Sequence, residues 1–434
     1  MKKIIIYLLL VLPCAAQAQS GLLEKIKNKA KAKAEQRILN KADKEIDKTL
    51  DEVEGTAKGG PSKPATTAPA QKETAKEASK ETAPSITAYS KYDFVPGERI
   101  IYSEDFSQDE IGELPVGWNT SGKAELVTLD EIPGRWLRLY QNALYLTSNK
   151  DTFSRNFTVE FDIVLQLKNI GYTYPQLSLG FLASHDLPTI DNTFLDGFTK
   201  YQAAHVFLRP SEGGNTNTYV ETFLERKRTF LSETQNLAAL EKYYHKITHV
   251  AMQVQEKRWR VWINGEKKFD LPMAMPTDYM FNQLYFKLHW SSHKDDQVGV
   301  YLGNLKVATG KPDTRHKLVE EGKFSTTGIL FDVNSAVIKP ESAGVLKEIA
   351  DVLKKFPDVK VNIIGHTDSD GQDAANLTLS QKRAASVKQS LVSEYGIDES
   401  RLQSDGKGEK EPVGDNKTKP GKAQNRRVEF IKTN

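Results

Sequence analysis

An aspartate and an arginine lie fifteen residues apart near the end of this sequence, in the stretch GHTDSDGQDAANLTLSQKRA (365–384). Asp368 follows a strand-like run, and Arg383 lies in the helix-like run that comes next. A guanidinium binds a carboxylate through two parallel hydrogen bonds, and a carboxylate attracts an ammonium. Held side by side, the two residues would grip the zwitterionic end of an amino acid. We interpret them as such a clamp, with the amide of Asn376 between them.

The elements around this pair alternate between the period of a strand and the period of a helix. Asp368 would lie just past the carboxyl end of a buried strand, where α/β sheets bind ligands. The order β-α-β-α-β-β predicts an α+β domain, a small sheet with two helices on one face. The predicted strands are 328–333, 359–366, 401–409 and 426–431, and the predicted helices are 340–356 and 376–395.

Five motifs run in order along this segment. They are FDVNSAVIKPES (331–342), GHTDSDG (365–371), NLTLSQKRA (376–384), YGIDESRL (395–402) and DNKTKPGKAQNRRVEF (415–430). On these motifs, residues 328–434 resemble the OmpA-like peptidoglycan-binding domain. The resemblance implies a domain that grips the diaminopimelate end of peptidoglycan stem peptides. For an isolated aspartate and arginine, a turn cap and an ordinary surface ion pair would be the alternative.

The resemblance also implies a role for each matched residue. Asp368 would take the ammonium of the ligand and Arg383 its carboxylate. Asn376 and Leu379 would line the same pocket.

A loop after the first predicted strand completes the implied site. This loop, from Asp332 through Asn334 to Ser335, would offer backbone donors to the ligand. No ligand role is assigned to Arg426 or Arg427, and one of them is expected to form a structural salt bridge.

Residues 91–311 differ in character, with aromatic residues and short alternating segments broken by Gly, Pro and Asn. Many short strands and few helices predict an all-β jelly-roll sandwich. Asn264-Gly265 is a strong signal for a two-residue hairpin. One possible helical insert covers residues 229–246. The predicted strands are 157–167, 247–255, 258–271, 282–290 and 298–308.

The sandwich region carries two further motifs, YSEDFSQDEIGELPVGW (102–118) and WRVWING (259–265). On these it resembles the concanavalin-like and laminin-G-like class of jelly-roll sandwiches. That resemblance implies a fold and says little about function. Exposed tryptophans could stack on sugar rings, but tryptophans of a sandwich are more often part of its core.

Two signals in the sandwich could indicate catalysis or metal binding. Glu160 and Asp162 share one face of a strand, as the acid and base of a glycoside hydrolase would, but Leu165 stands where a second glutamate is needed. His245 and His249 would share a face of a strand, yet no cysteine or third histidine is near in sequence. We therefore expect no metal, no cofactor and no enzymatic activity.

The first ninety residues contain no predicted globular domain. Residues 1–18 read as a signal peptide cleaved after Ala18. The alternative is lipidation of Cys14, which the preceding Pro13 disfavours. Residues 19–54 predict a charged helix that serves as a spacer, a coiled-coil or docking helix, or a membrane-surface helix. Residues 55–90 predict a disordered linker, and a second linker is predicted at 312–327.

The whole chain of 434 residues carries a formal charge of only +3, which gives no reason to expect a nucleic-acid partner. We predict an exported protein of a diderm cell envelope, in the periplasm or associated with the outer membrane. It would anchor to peptidoglycan, with the sandwich presenting a second surface for a glycan or a protein. The alternatives are a wall-anchored enzyme acting on polysaccharide, or a structural spacer whose residues 20–54 self-associate or bind an outer-membrane partner.

Overall fold

The computed structural model describes residues 92–149, 151–197 and 201–433. The predicted signal peptide with Cys14, the charged helix at 19–54 and the linker at 55–90 lie outside these residues. Within the described ranges, no helix combines the length and the apolar character needed to cross a membrane.

Two antiparallel sheets make up the first half of the described chain. The strands are β1 (Arg99–Glu104), β2 (Asn119–Thr120), β3 (Ala124–Thr128), β4 (Arg135–Leu139), β5 (Ala143–Leu146), β6 (Asn156–Leu167), β7 (Leu177–Ala183), β8 (Gln202–Arg209), β9 (Asn217–Leu224), β10 (Lys227–Leu231), β11 (Gln235–Asn236), β12 (Ile247–Gln255), β13 (Arg258–Ile263), β14 (Glu266–Leu271), β15 (Gln283–Leu288) and β16 (Val298–Thr309). In the first sheet the strand order is β14-β13-β12-β6-β16-β4-β3, and β1 also pairs with β16. In the second sheet the order is β10-β9-β8-β7-β15-β5-β2, and β11 also pairs with β9.

The inner faces of the two sheets enclose one apolar core, as the alternating sequence pattern requires. Phe161 and Val250 from the first sheet meet Phe181 and Phe286 from the second in this core. The predicted all-β sandwich is therefore confirmed, and the five predicted strand segments are strands. Asn264 and Gly265 join β13 to β14, and both have positive φ, as a type I′ hairpin turn demands.

The helical insert predicted at 229–246 is wrong. Strand β10 ends within it and pairs with β9, and the only helix there is a short 3-10 helix at Ala238–Tyr243. Thr229 and Phe230 continue the sheet because their side chains find partners on β9. Thr229 Oγ1, for example, lies 2.8 Å from Thr222 Oγ1.

The C-terminal domain is an α+β unit, as predicted. The elements along the chain are β17 (Lys323–Thr326), α1 (Ala343–Lys355), β18 (Lys360–His366), α2 (Asp373–Ser393), β19 (Leu402–Gly408), α3 (Lys419–Asn425) and β20 (Val428–Thr433). The predicted order β-α-β-α-β-β lacked α3, which lies between the last two strands. The sheet has the order β17-β20-β18-β19, in which only β18 and β19 are parallel. Short 3-10 helices at Pro340–Ser342 and Glu399–Arg401 and a π turn at His316–Glu320 accompany them, together with a 3-10 helix at Asn192–Asp196 in the sandwich.

Two predicted boundaries in this region need correction. The linker expected at 312–327 contains strand β17, which pairs with β20, and the side chain of Phe324 is buried in the domain core. The strand expected at 328–333 is a loop, and its one β-bridge joins Phe331 to Ile338. Its backbone is satisfied locally, since Leu330 N–H donates to Ser342 Oγ at 2.8 Å.

The sandwich and the C-terminal domain touch along several segments. Phe94 packs edge-on against Trp262 of the sandwich, with ring centroids 5.3 Å apart. On its other side, a Cβ added to Gly344 of α1 would lie 2.3 Å from Phe94 O, so the glycine permits this approach. Lys419 of α3 binds Glu104 and Asp109 of the sandwich, with Nζ at 2.6 Å from Glu104 Oε1 and 2.7 Å from Asp109 Oδ2.

Candidate functional site

A cavity of about 460 Å³ lies where the C-terminal domain faces the sandwich. Its walls on the C-terminal side include six of the seven predicted site residues: Asp332, Asn334, Asp368, Asn376, Leu379 and Arg383. The seventh, Ser335, contributes through its carbonyl oxygen, which accepts a hydrogen bond from Arg383. The residues that the sequence placed together are therefore brought to one cavity.

Two glycines allow helix α2 to carry Arg383 to the sheet edge. A Cβ on Gly365 of β18 would lie 2.3 Å from Ser380 O of the helix. A Cβ on Gly406 of β19 would lie 2.3 Å from Gln381 N. Because neither residue has a side chain, the helix backbone rests directly on both strands, next to the position of Arg383.

Asp368 follows β18 and is 7% exposed. Its Oδ1 accepts a hydrogen bond from Asp370 N at 3.2 Å, and its Oδ2 accepts one from Arg426 Nη1. Arg426 also lines the cavity. One of Arg426 and Arg427 was expected to form a structural salt bridge, and both do, since Arg427 binds Glu429 at 2.9 Å and Arg426 binds Asp368. Asp368 and Arg426 lie 58 positions apart, so no local pattern in the sequence indicates this pairing.

Arg383 is held by the loop at 332–335. Its Nε donates to Ser335 O at 2.9 Å and its Nη2 to Asp332 O at 3.4 Å. The guanidinium also lies over the ring of Phe331, 4.9 Å from the ring centre. Burial and the nearby charge of Arg426 lower the pKa of Arg383, while Asp368 opposes them.

Two of the backbone donors predicted from the loop are used within it. Asp332 N–H donates to Val337 O at 3.3 Å and Ser335 N–H donates to Asp332 O at 3.1 Å, so both amides are used inside the loop. Its carbonyl groups instead orient Arg383. Asn334 turns the chain here with a φ of 53°.

Asn376 holds the segment after β18 in place. Its Nδ2 lies 3.3 Å from Asp368 O, 3.1 Å from Asp370 O and 2.6 Å from Glu409 Oε2. All three contacts are to protein acceptors, so this amide group positions Asp368 through the backbone. Its predicted location between the two charged residues is consistent with that role.

The sandwich supplies the opposite wall of the cavity through side chains on the outer face of its first sheet. His249 Nδ1 lies 2.7 Å from Asp162 Oδ1, and Asn304 Nδ2 donates to Asp162 Oδ2 at 2.8 Å. Glu160 Oε1 lies 3.0 Å from Lys306 Nζ. We call these five residues the sandwich cluster: Glu160, Asp162, His249, Asn304 and Lys306. All five line the cavity.

The pKa values in the sandwich cluster indicate an ionised pair. Burial lowers the pKa of His249, but the hydrogen bond and charge of Asp162 and the charge of Glu160 outweigh burial, so the pKa is raised. The pKa of Asp162 is lowered, since its bonds to His249 and Asn304 outweigh the effect of burial. Glu160 and Asp162 are each engaged by a basic residue. His245 is exposed, and in the described ranges no group of three or more His, Cys, Asp or Glu could hold a metal.

Most tryptophans of the sandwich are buried. Trp290 is 72% exposed. The other four are buried: Trp118, Trp136, Trp259 and Trp262.

Comparisons with known proteins point to the C-terminal domain. Residues 330–426 match the OmpA family. The chain is 48% identical over 102 residues to the probable lipoprotein YiaD of Escherichia coli, which covers 24% of this chain and 46% of that protein. It is 37% identical over 103 residues to the peptidoglycan-binding protein ArfA of Mycobacterium bovis, covering 24% of this chain and 31% of that protein. The chain thus spans less than half the length of these curated relatives.

Among solved structures, the chain is similar to the peptidoglycan-associated lipoprotein of Burkholderia pseudomallei. The identity is 27%, and the match covers 28% of this chain and 100% of that one, with a TM-score of 0.24. A TM-score this low adds nothing to the sequence matches.

Proposed function

Because residues 330–426 form an OmpA family domain, we propose that this chain binds peptidoglycan non-covalently through the cavity between Asp368 and Arg383. The bound group is the diaminopimelate end of a stem peptide. Its ammonium lies against Asp368 and its carboxylate against Arg383. The relative from Mycobacterium bovis, whose name states peptidoglycan binding, supports the assignment of the polymer.

The observation that carries this proposal is the meeting of opposite charges at one cavity. Asp368 and Arg383 both line it, and the loop and Asn376 fix the backbone around them. Arg383 keeps Nη1 without a protein acceptor among the described residues, so this nitrogen can donate to a ligand carboxylate. Asp368 is a carboxylate with two oxygens and about four acceptor sites, so its bonds to Arg426 and Asp370 leave room for an ammonium.

In this proposal the chain is an exported envelope protein of a diderm bacterium, in the periplasm or at the outer membrane. It acts as an anchor rather than an enzyme. The ion pairs of Glu160 and Asp162 support that reading, because a hydrolase needs one carboxyl group able to give up a proton and another free to attack or to activate water. A second glycan- or protein-binding surface on the sandwich stays a prediction.

Pull-down of the full-length protein with isolated sacculi tests the anchoring. Asp368→Ala and Arg383→Ala should each abolish retention, and Lys382→Ala, an exposed neighbour on the same helix, should retain it. Arg383→Lys keeps the charge but loses the fork that binds a carboxylate, so we expect it to bind weakly. Circular dichroism checks that each variant is folded. Full retention of a folded Asp368→Ala, Arg383→Ala double variant would refute the proposal.

The identity of the bound group needs a separate comparison of sacculi. Lysine in place of diaminopimelate keeps an ammonium but lacks the second carboxylate that Arg383 would bind. Sacculi of the lysine type should therefore retain much less protein than sacculi of the diaminopimelate type. Equal retention on both types would leave peptidoglycan as the partner and remove diaminopimelate as the recognised group.

A further inference from the structure

We propose that the β-sandwich is part of the peptidoglycan site, and that His249 contacts the peptide chain beyond the end that Asp368 and Arg383 hold. This inference rests on the proposed function and extends it to a second wall. It assigns the sandwich cluster to recognition of the peptide portion of the stem.

The first observation is the extent of the cavity. At about 460 Å³ it falls within the range of roughly 300–1,000 Å³ that small-molecule sites occupy. The two charged ends of one amino acid fill only a part of such a volume. The remainder is bounded by the sandwich, whose Glu160, Asp162 and His249 face it from β6 and β12.

The second observation is that the hydrogen bonds and ion pairs of the sandwich cluster do not cross to the C-terminal domain. In the part of the chain that the structure describes, these bonds join the cluster's side chains only to one another. Lys339 and Glu341 of the C-terminal domain act on Asp162 and His249 through their charge alone.

The bonds between the domains lie elsewhere, at Lys419 with Glu104 and Asp109, and at Gln424, whose Oε1 accepts from Ile100 N at 2.8 Å. Glu160, Asp162 and His249 are each more than nine-tenths buried. Buried polar groups need hydrogen-bond partners, and those that face this cavity can find further ones only in water or a ligand inside it.

The third observation is the orientation of the His249 ring. Its Nδ1 is bound to Asp162 at 2.7 Å, which fixes the ring plane. Its Nε2 has no hydrogen-bond partner among the described residues, and the nearest recorded carboxylate oxygen, Glu160 Oε2, is 3.8 Å away. The side chain of His249 is 9% exposed and lines the cavity. This nitrogen is therefore a buried polar atom whose hydrogen-bonding capacity is not used by the described residues.

These constraints suit a peptide chain. If the ring is neutral, Nδ1 carries the proton and donates it to Asp162, and Nε2 accepts a hydrogen bond from an amide N–H. A doubly protonated ring donates from Nε2 to a carbonyl oxygen. A peptide offers both groups within one unit, so it can satisfy His249 in either state. The stem peptide that continues from the diaminopimelate residue has this chemistry.

Isothermal titration of the full-length protein with two ligands tests the inference. One ligand is free meso-diaminopimelate, and the other is the stem tripeptide L-Ala-γ-D-Glu-meso-diaminopimelate. We expect the tripeptide to bind more tightly. His249→Asn should weaken tripeptide binding about tenfold, as expected for the loss of one well-formed hydrogen bond, and leave binding of the free amino acid unchanged. Asparagine keeps a nitrogen near the position of Nδ1, so the contact with Asp162 can persist.

His205→Asn is the matched control. His205 is a second buried histidine of the sandwich, 3.0 Å from Glu221 on the other sheet, and it does not line the cavity. Its substitution should change the affinity for neither ligand. His249→Gln, whose amide can reach the position of Nε2, should restore part of the tripeptide affinity.

The outcomes separate this inference from the proposed function. If the wild type binds neither ligand, the proposed function fails and the inference falls with it. If both ligands bind and Arg383→Ala weakens both, the proposed function stands. The inference is then overturned if the tripeptide binds no tighter than the amino acid, or if His249→Asn weakens both ligands equally or neither.

Discussion

Arg426 donates a hydrogen bond from Nη1 to Oδ2 of Asp368, which joins the last helix of the C-terminal domain to the aspartate of the candidate site. The aspartate is buried and the arginine side chain is 40% exposed. The ion pair with Arg426 offsets part of the cost of burying the Asp368 side chain. The same cation lies close enough to Arg383 to lower its pKa. Arg426 therefore influences both residues proposed to hold the ligand.

Replacing Arg426 with glutamine should destabilise the protein by about 1–2 kcal/mol, because a buried carboxylate loses a charged partner. This loss is smaller than that from breaking a fully buried ion pair, because water partly screens the charge of the exposed arginine. Urea unfolding measures it. Lys347→Gln removes an exposed ion pair with Asp351 and should change stability by less than about 0.5 kcal/mol. Equal losses in the two variants would contradict a structural role for Arg426.

Replacing Arg401 with alanine should cost about 2–3 kcal/mol of unfolding free energy. Its guanidinium donates to three backbone carbonyls, with Nη2 at 2.9 Å from both Leu353 O and Phe356 O and 2.8 Å from Val359 O. These acceptors lie at and after the end of α1, where helix carbonyls lack partners. Arg401→Lys should recover only part of the loss, because an ammonium cannot match the planar fork. Complete recovery with lysine would mean that charge alone matters.

The stability that His249 contributes should depend on pH with a defined sign. Its pKa is raised above the ordinary value of 6.5, so its contribution is fully present below that pH and is lost as pH rises through the folded-state pKa. The difference in unfolding free energy between wild type and His249→Asn should therefore shrink as pH rises above the ordinary value of 6.5.

His205 provides a control of opposite sign for that experiment. Burial lowers its pKa, against the attraction of Glu221. Wild type should therefore lose stability relative to His205→Asn as pH falls below the ordinary histidine value of 6.5. Denaturant titrations across the same pH range measure the unfolding free energy of both variants. If the two differences from wild type changed with pH in the same direction, the opposite pKa shifts of His249 and His205 would be contradicted.

Lys419→Gln should weaken the contact between the sandwich and the C-terminal domain. It leaves Glu104 and Asp109, both buried, without their ammonium partner, and burial already raises the pKa of Glu104. We expect a loss of about 1–3 kcal/mol in unfolding free energy. Limited proteolysis should also cut more readily between β16 and β17. Unchanged stability and cleavage would show that apolar packing around Phe94 holds the domains together without this ion pair.

The sequence predicted the parts of the fold that local patterns determine. The alternation of Phe161 and Ile163 with polar neighbours gave β6, and Asn264-Gly265 gave the hairpin. It failed where a segment's partner lies far along the chain. Phe324 reads as part of a polar linker, yet it completes an edge strand because β20, about a hundred residues later, offers a free edge. The apolar run at Ile329 reads as a strand, but Ser342 and Lys339 satisfy its backbone as a loop.

The residues of the candidate site also divide into those that local sequence indicates and those that only long-range pairing brings there. Asp368 and Arg383 belong to neighbouring elements, so their convergence follows from the order of strand and helix. Arg426 and His249 reach the cavity through long-range pairing, which no spacing rule could reveal. The unusual signal was present in the sequence nonetheless. Glu160 and Asp162 lie two residues apart in β6, a strand that is buried along almost its whole length. Buried carboxylates need basic or hydrogen-bonding groups beside them, so this pair indicates further polar residues nearby.

Helix α3 is only seven residues long, and it has a charged contact at each end. Lys419 at its start grips the sandwich, and Arg426 immediately after its end grips Asp368. Because one short helix carries both contacts, a shift of Arg426 away from Asp368 should also disturb the contact between Lys419 and the sandwich. Occupation of the cavity and pairing of the two domains would then be coupled, each changing the free energy of the other by the same amount.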